Sequence, residues 1–293
     1  MRTIETIAEL RSAVGLAKRQ QKQIGFVPTM GALHEGHLSL VRLSKQQTDL
    51  TVVSIFVNPT QFGPNEDFSR YPRTLEADSS LLVGADVDLL FLPDASEIYP
   101  NGFSTSIGIG ELSQVFEGAI RPGHFDGVAT IVGSLFNIVQ PDLAFFGQKD
   151  AQQVAVIRKL VRDLHYPVKL VIGPTLREPD GLALSSRNRY LSPPNRKEAT
   201  ALWKALMEVL ESLLPGTTVR DAICRGTSVF EQFAPDAKLE YLALVDSETF
   251  HPIDSFETSD WQGADDRSSD NPPTLIIAAR LGETRLIDNV RIE

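Results

Sequence analysis

Gly25-Phe26-Val27-Pro28-Thr29-Met30-Gly31-Ala32-Leu33-His34-Glu35-Gly36-His37 decides the fold: an apolar run meets a glycine-punctuated turn, and two histidines open the next helix. Ile24 to Val27 read as a buried parallel strand, Pro28 ends it, and Leu38-Ser39-Leu40-Val41-Arg42-Leu43 starts a helical period. His34 and His37 then lie on one side of the first turn. Free backbone N–H groups and the positive end of the helix dipole favour a polyanion there. Gly31 and Gly36 admit it close to the backbone, and two imidazoles add donors without fixed charge. The same H-x-x-H spacing also suits a pair of zinc ligands or two surface histidines. His124, His165 and His251 are scattered and Cys224 is the only cysteine, so no further zinc ligands accompany the pair. Strand before and helix after are what a nucleotide site requires.

Working outward, residues 50–57, 87–92, 142–146 and 168–172 are further strand-like runs, and helical periods lie near 38–47, 74–83, 127–139 and 150–164. In the last of these, Val154, Ile157, Leu160, Val161 and Leu164 form an apolar stripe expected to pack on the sheet. The alternation predicts an α/β fold, a doubly wound, Rossmann-like parallel sheet over residues 1–174. From 175 to 293 the pattern changes. Helices near 194–213 and 218–232 precede strands near 237–246, 274–280 and 284–288, which predicts a smaller α+β domain. Between the first two of those strands, residues 260–273 read as a solvated loop.

The 293 residues, 42% of them hydrophobic, suffice for one large and one small domain. Lys and Arg number 28 against 38 Asp and Glu, a net charge of −10, which argues against a nucleic-acid surface. Met1-Arg2-Thr3-Ile4-Glu5 carries no apolar signal region and no run approaches a membrane span, so a cytoplasmic protein without membrane contact is expected. Cys224, within a helical period, reads as a small buried hydrophobe.

Three clusters fall where a nucleotide site needs them. Phe146-Gly147-Gln148-Lys149-Asp150 closes the fourth strand run: Gly147 permits close approach, Lys149 supplies a cation, and Asp150 suits a helix cap. Leu184-Ser185-Ser186-Arg187 carries two hydroxyls and a guanidinium, a set suited to a diphosphate, at the domain junction. In Asn58-Pro59-Thr60-Gln61, Gln61 is a neutral donor and acceptor, and Gln153 lies one turn into the helix begun by Asp150. Two amides hold a carboxylate without lowering its basicity as Arg would; the plain alternative is a pair of surface glutamines.

Pro28-Thr29-Met30-Gly31-Ala32-Leu33-His34-Glu35-Gly36-His37, Phe56-Val57-Asn58-Pro59-Thr60-Gln61-Phe62, Tyr71-Pro72-Arg73-Thr74, Glu117-Gly118-Ala119-Ile120-Arg121-Pro122-Gly123-His124-Phe125, Phe145-Phe146-Gly147-Gln148-Lys149-Asp150, Leu184-Ser185-Ser186-Arg187-Asn188 and the final Ala279–Asn289 stretch occur in this order. As a set they resemble the pantothenate synthetases, the pantoate–β-alanine ligase family of the nucleotidylyltransferase-like superfamily. The resemblance implies an ATP-dependent, AMP-forming ligase in two steps: pantoate and ATP give pantoyl adenylate and diphosphate, then β-alanine displaces AMP to give pantothenate.

It further implies an ATP site of Met30, Gly31, His34, His37, Gly147, Gln148, Lys149, Asp150, Leu176, Leu184, Ser185, Ser186 and Arg187. Of these, His34, His37, Lys149 and Arg187 would be catalytic, Gly147 and Asp150 would touch ribose, and Leu176 and Leu184 adenine. Gln61 and Gln153 would bind the pantoate and β-alanine substrates. The position of His37 is treated in the family as the proton donor. Mg²⁺ is expected to accompany ATP, the smaller domain to act as a lid, and the chain to form a homodimer through the larger one. Leu184 departs from the Met of many relatives, a change of similar volume. Asp78 matches one of two adjacent acidic residues associated with Mg²⁺, but its neighbour is Ala77, so no protein metal ligand is assigned. Other readings are another small-acid adenylylating enzyme or nucleotidyltransferase of the superfamily, or a non-catalytic nucleotide-binding module. The net charge weighs against tRNA, and the joint presence of His34, His37, Lys149 and Arg187 against the module.

Overall fold

The computed structural model describes every residue except Asn65, Asp67, Pro215, residues 256–271 and Glu293. The solvated loop expected at 260–273 therefore lies, apart from its last two prolines, outside the described residues. Packing divides the chain into two compact units, Met1–Gly147 with Val156–Pro174, and Gln148–Ala155 with Thr175–Glu293.

The first part of the chain runs β1 (Arg2–Ile4), α1 (Ile7–Arg19), β2 (Ile24–Thr29), α2 (Glu35–Gln47), β3 (Leu50–Ile55), α3 (Leu75–Gly84) and β4 (Leu89–Phe91). It continues through the short α4 (Ala95–Ile98) and α5 (Glu117–Ile120) to α6 (His124–Val139), β5 (Leu143–Gly147), α7 (Ala151–Asp163) and β6 (Lys169–Gly173). The six strands form one sheet in the order β1-β4-β3-β2-β5-β6, every pairing parallel. Strands covered on both faces read as continuous apolar runs, and Val27, Val53, Leu90 and Phe145 are all completely buried. β2 lies between β3 and β5, and the chain leaves β2 toward β3 but leaves β5 toward β6, in opposite directions. The carboxyl end of β2 is the topological switch point, where a doubly wound sheet opens a crevice.

Two elements here go beyond the sequence reading. β1 is only three residues long, and α1 buries Leu10, Val14 and Ala17 behind a Thr6 cap. The stripe expected on α7 holds for Val154, Ile157 and Leu160, which are buried, but Leu164 lies past the helix end and is exposed.

The second unit contains the antiparallel sheet β7 (Lys238–Val245), β8 (Thr274–Leu281) and β9 (Thr284–Arg291), preceded by α8 (Pro193–Glu198), α9 (Ala201–Ser212) and α10 (Val219–Phe233). The single helix expected over 194–213 is thus two, parted at Ala199–Thr200. Leu202, Leu206, Val209, Phe230, Leu275 and Ile277 fill the core between helices and sheet. Cys224 is exposed rather than buried, because the face of α10 that packs inward carries Val219, Ala222, Gly226 and Phe230, and residue 224 points away from it. Within the same core, Arg177 is bidentate to the buried Asp288, at 2.5 and 3.0 Å, and stacks on Trp203 with 3.7 Å to the ring centroid.

Candidate functional site

The chain leaves β2 through two consecutive left-handed residues, Gly31 at φ +82° and Ala32 at φ +51°. Ala32 bears a Cβ, so this conformation costs about 1 kcal/mol and needs external support. Asp78, in the first turn of α3 and 1% exposed, supplies it. Its two oxygens accept the N–H of Ala32 at 2.9 Å and of Leu33 at 2.8 Å, and Thr74 Oγ1 donates to it at 3.2 Å. A carboxylate engaged in this way is a strut for the turn, a role that its likeness to a metal-associated position gave no sign of.

His34 is not inside the helix but caps it in an extended conformation. Its Nδ1 accepts the Gly36 N–H at 3.1 Å, and His37 Nδ1 accepts the His34 N–H at 3.3 Å, a reciprocal capping box built from two imidazoles. The ring centroids are 4.1 Å apart. A Cβ on residue 36 would come within 2.9 Å of the His34 ring, which is the local reason for Gly36. The free amides expected in this turn are therefore largely engaged: Gly31 donates to Thr29 Oγ1, Ala32 and Leu33 to Asp78, His34 and Gly36 to imidazole nitrogens. What the turn presents instead follows from the tautomers. An Nδ1 that accepts leaves the ring proton on Nε2, so each neutral imidazole is an Nε2–H donor. His37 stays neutral, its pKa lowered from 6.5 to about 3 by burial and, secondarily, by the neighbouring His34.

Gln61 closes the turn Pro59–Gln61 after β3 and is buried, not a surface amide. Its Oε1 accepts Asn58 Nδ2 at 3.1 Å, and its Nε2 lies 2.9 Å from Met30 Sδ. Asn58 is itself fixed: its Oδ1 accepts from Tyr99 OH at 2.7 Å and its Nδ2 also donates to Gly127 O. The first unit thus gathers Met30, Gly31, His34, His37 and Gln61 after β2 and β3. Gly147 ends β5, and a Cβ there would meet no protein atom within 4 Å.

The remaining predicted residues belong to the second unit. Asp150 accepts the Gln153 N–H at 3.2 Å and so caps α7, as its position suggested; the Gln153 side chain is half-buried. Leu184 donates its N–H to Leu176 O at 2.9 Å, which places these two side by side. Ser185 Oγ accepts the Arg187 N–H and starts the short helix Ser186–Tyr190. Lys149 and Ser185 line one small cleft with Asn188, Ile287 and Asp288. Asn289, 3% exposed, clamps the Gln148–Lys149 backbone. Its Nδ2 donates to both carbonyls, at 3.0 and 2.8 Å, while Gln148 Nε2 donates to its Oδ1. The sequence signal for this clamp was Asp288-Asn289, two polar residues inside an apolar strand. Among the described residues no group of three or more His, Cys, Asp or Glu is placed to hold a metal ion.

A family profile described as Pantoate-beta-alanine ligase matches residues 2–291. Curated pantothenate synthetases from Thermus thermophilus and Acetivibrio thermocellus are 49% and 48% identical over 293 residues, covering 100% of this chain and 99% and 100% of their own. Of solved structures, a pantothenate synthetase from Thermus thermophilus matches with a TM-score of 0.90 at 47% identity, covering 100% of this chain and 99% of its own. A pantoate-beta-alanine ligase from Francisella tularensis, complexed with beta-gamma ATP and beta-alanine, matches at 0.79 and 35%, covering 100% and 98%.

Two outcomes follow from the turn. Asp78→Ala leaves two buried amides without acceptors, at about 1–3 kcal/mol each, so urea unfolding should show a loss of about 2–6 kcal/mol and hydrogen exchange at Ala32 and Leu33 should accelerate. A loss below about 1 kcal/mol would remove the strut. The depressed pKa of His37 makes the second. Below pH 6.5 the unfolded chain takes up a proton that the folded imidazole refuses, so stability falls as pH drops from 6.5 toward 3, by at most about 1.4 kcal/mol per unit, and is unaffected above it. Urea titrations at pH 7.5 and 5 should show the native protein losing up to about 2 kcal/mol more than His37→Gln; equal losses would place a charged imidazole in the folded turn.

Proposed function

The chain belongs to the pantoate–β-alanine ligase family, and we propose that the residues described above carry out its reaction. The reaction is ATP-dependent condensation of pantoate with β-alanine through pantoyl adenylate, with release of diphosphate and AMP. The observation that carries the assignment is the pair of imidazoles at the carboxyl end of β2 whose Nδ1 atoms accept backbone N–H groups, leaving Nε2 as donor, in a chain that the family profile matches almost throughout.

In the first step the pantoate carboxylate attacks the α-phosphorus, so the protein supplies position and charge stabilisation rather than a covalent nucleophile. Gln61 offers its Nε2–H to pantoate because Asn58 holds the amide oxygen, and Gln153 offers a second amide. His34 and His37 donate to phosphate oxygens. His37, neutral in the ligand-free turn, acts as a donor that stabilises developing charge as much as an acid. Lys149 and Arg187 add positive charge, Ser185 and Ser186 hold the diphosphate, Gly147 and Asp150 meet the ribose, and Leu176 and Leu184 flank adenine. Met30, Gly31 and Gln148 complete the ATP contacts.

Mg²⁺ enters with ATP. The Asp78 oxygens are committed to the turn, so no protein ligand is assigned to the ion, which would supply charge neutralisation to the diphosphate when bound. Ser185–Arg187 acts as part of a lid that excludes water from the acyl adenylate. The family resemblance also supports a homodimer joined through the first unit and a cytoplasmic setting; no helix among the described residues is long and apolar enough to cross a membrane.

Incubation with ATP, pantoate and β-alanine, followed by mass detection of pantothenate and AMP, tests the whole reading. His37→Ala should fold and lose adenylate formation by about 10²- to 10³-fold, whereas near-full activity would remove its role. Arg187→Ala should slow the reaction and raise AMP released per pantothenate above one, as adenylate escapes to water; a ratio that stays at one leaves Arg187 a charge role and refutes the lid.

A further inference from the structure

His124, the first residue of α6, is buried at 6% exposure and carries two ring contacts that fix its tautomer. Arg121 Nη1 lies 3.0 Å from Nε2, and the Gln61 carbonyl oxygen 2.8 Å from Nδ1. A guanidinium can only donate and a carbonyl can only accept, so Nε2 carries the lone pair and Nδ1 the hydrogen. Arg121 is in turn held by Glu66, whose two oxygens each accept a guanidinium hydrogen at 2.7 Å. Burial alone would raise the Glu66 carboxyl, but the Arg121 hydrogen bond and charge keep it below its ordinary value.

Gly127, one turn further along α6, brings the two backbones together: a Cβ there would stand 2.4 Å from Thr60 O and 2.8 Å from Gln61 Cα. The Pro59–Gln61 turn is thus pressed onto α6, with its last carbonyl bound to His124 and its side-chain amide oxygen to Asn58. An amide that must present one N–H face to a substrate needs both restraints. Asn58 sets which atom of the amide is outward, and His124 sets where the residue stands.

We propose that Arg121 and His124 are positioning residues for the acid-binding amide of Gln61, with Arg121 selecting the Nδ1–H tautomer of His124 and that hydrogen fixing the Gln61 carbonyl. The proposal rests on the reading of Gln61 as a pantoate ligand. It assigns neither residue a contact with ATP or with the reacting atoms.

The test has a part that needs no activity. In the ¹⁵N spectrum of the whole chain, with His124→Gln to assign the signal, the His124 imidazole should carry its proton on Nδ1, the minor form in water; protonation on Nε2 overturns the proposal. In steady-state assays, His124→Ala should raise the KM for pantoate by roughly tenfold, the size of one lost hydrogen bond, with the KM for ATP within about twofold of the native value. His124→Asn, whose Nδ2–H stands near the place of Nδ1–H, should restore the pantoate KM to within about threefold. An Asn variant no better than Ala, or both KM values rising together, overturns the positioning role. Should His124→Ala fail to fold, the tautomer and the Asn variant decide. Gln61→Ala, measured alongside, separates the two failures: if it leaves the pantoate KM unchanged, the pocket assignment falls first and the proposal with it; if it raises that KM while the His124 variants do not, only the proposal falls.

Discussion

One buried carboxylate organises the region on which the chemistry depends. Asp78 reaches from α3 to the amides of Ala32 and Leu33 and holds a pair of left-handed residues in the path between β2 and α2. With the turn so held, His34 can cap α2 and His37 can bond back to it, which orients both rings. The electrostatics change as well. A helix start with open amides would bind an anion through its backbone, but here a protein carboxylate and two imidazole nitrogens already occupy most of those donors. What the turn can offer an anion is therefore mainly its side chains, and burial keeps His37 neutral among them.

How far the sequence can be read follows from the range of the interactions involved. β2, β3 and β5 are legible because strands buried on both faces are largely apolar, and the edge strand β6 is legible from its run of Leu170, Val171 and Ile172. β1 is not, because three residues carry no period. The break between α8 and α9 has no signal in the sequence, since neither Pro nor Gly marks Ala199–Thr200, and Cys224 reads as buried although it is exposed, because one small residue adds little to a helical stripe. At the site, residue types were legible and their surroundings were not. Gln61 could be picked as a neutral amide, yet its burial and its orientation come from Asn58, Tyr99 and α6, which are brought to it by the sheet. The free amides of the turn were a sound local inference that failed because Asp78 is supplied from more than forty residues away.

The second unit repeats the principle with a different chemistry. Asn289 satisfies its amide on the carbonyls of Gln148 and Lys149 and on the Gln148 side chain, while Asp288 takes Arg177, the neighbour of Leu176. Asp288 and Asn289 are buried and hydrogen-bonded to half-buried partners, and satisfied polar networks of this kind help to specify one arrangement of a core.

The Asn289 clamp also bears on the order of events during synthesis. Lys149 emerges from the ribosome 140 residues before the side chain that holds its carbonyl. The parallel sheet can form early, but the carbonyls at 148–149 meet the Asn289 amide only once β9 has been made, and contacts of such long separation form slowly. A nascent chain can therefore possess the histidine turn before the Gln148–Lys149 backbone is clamped.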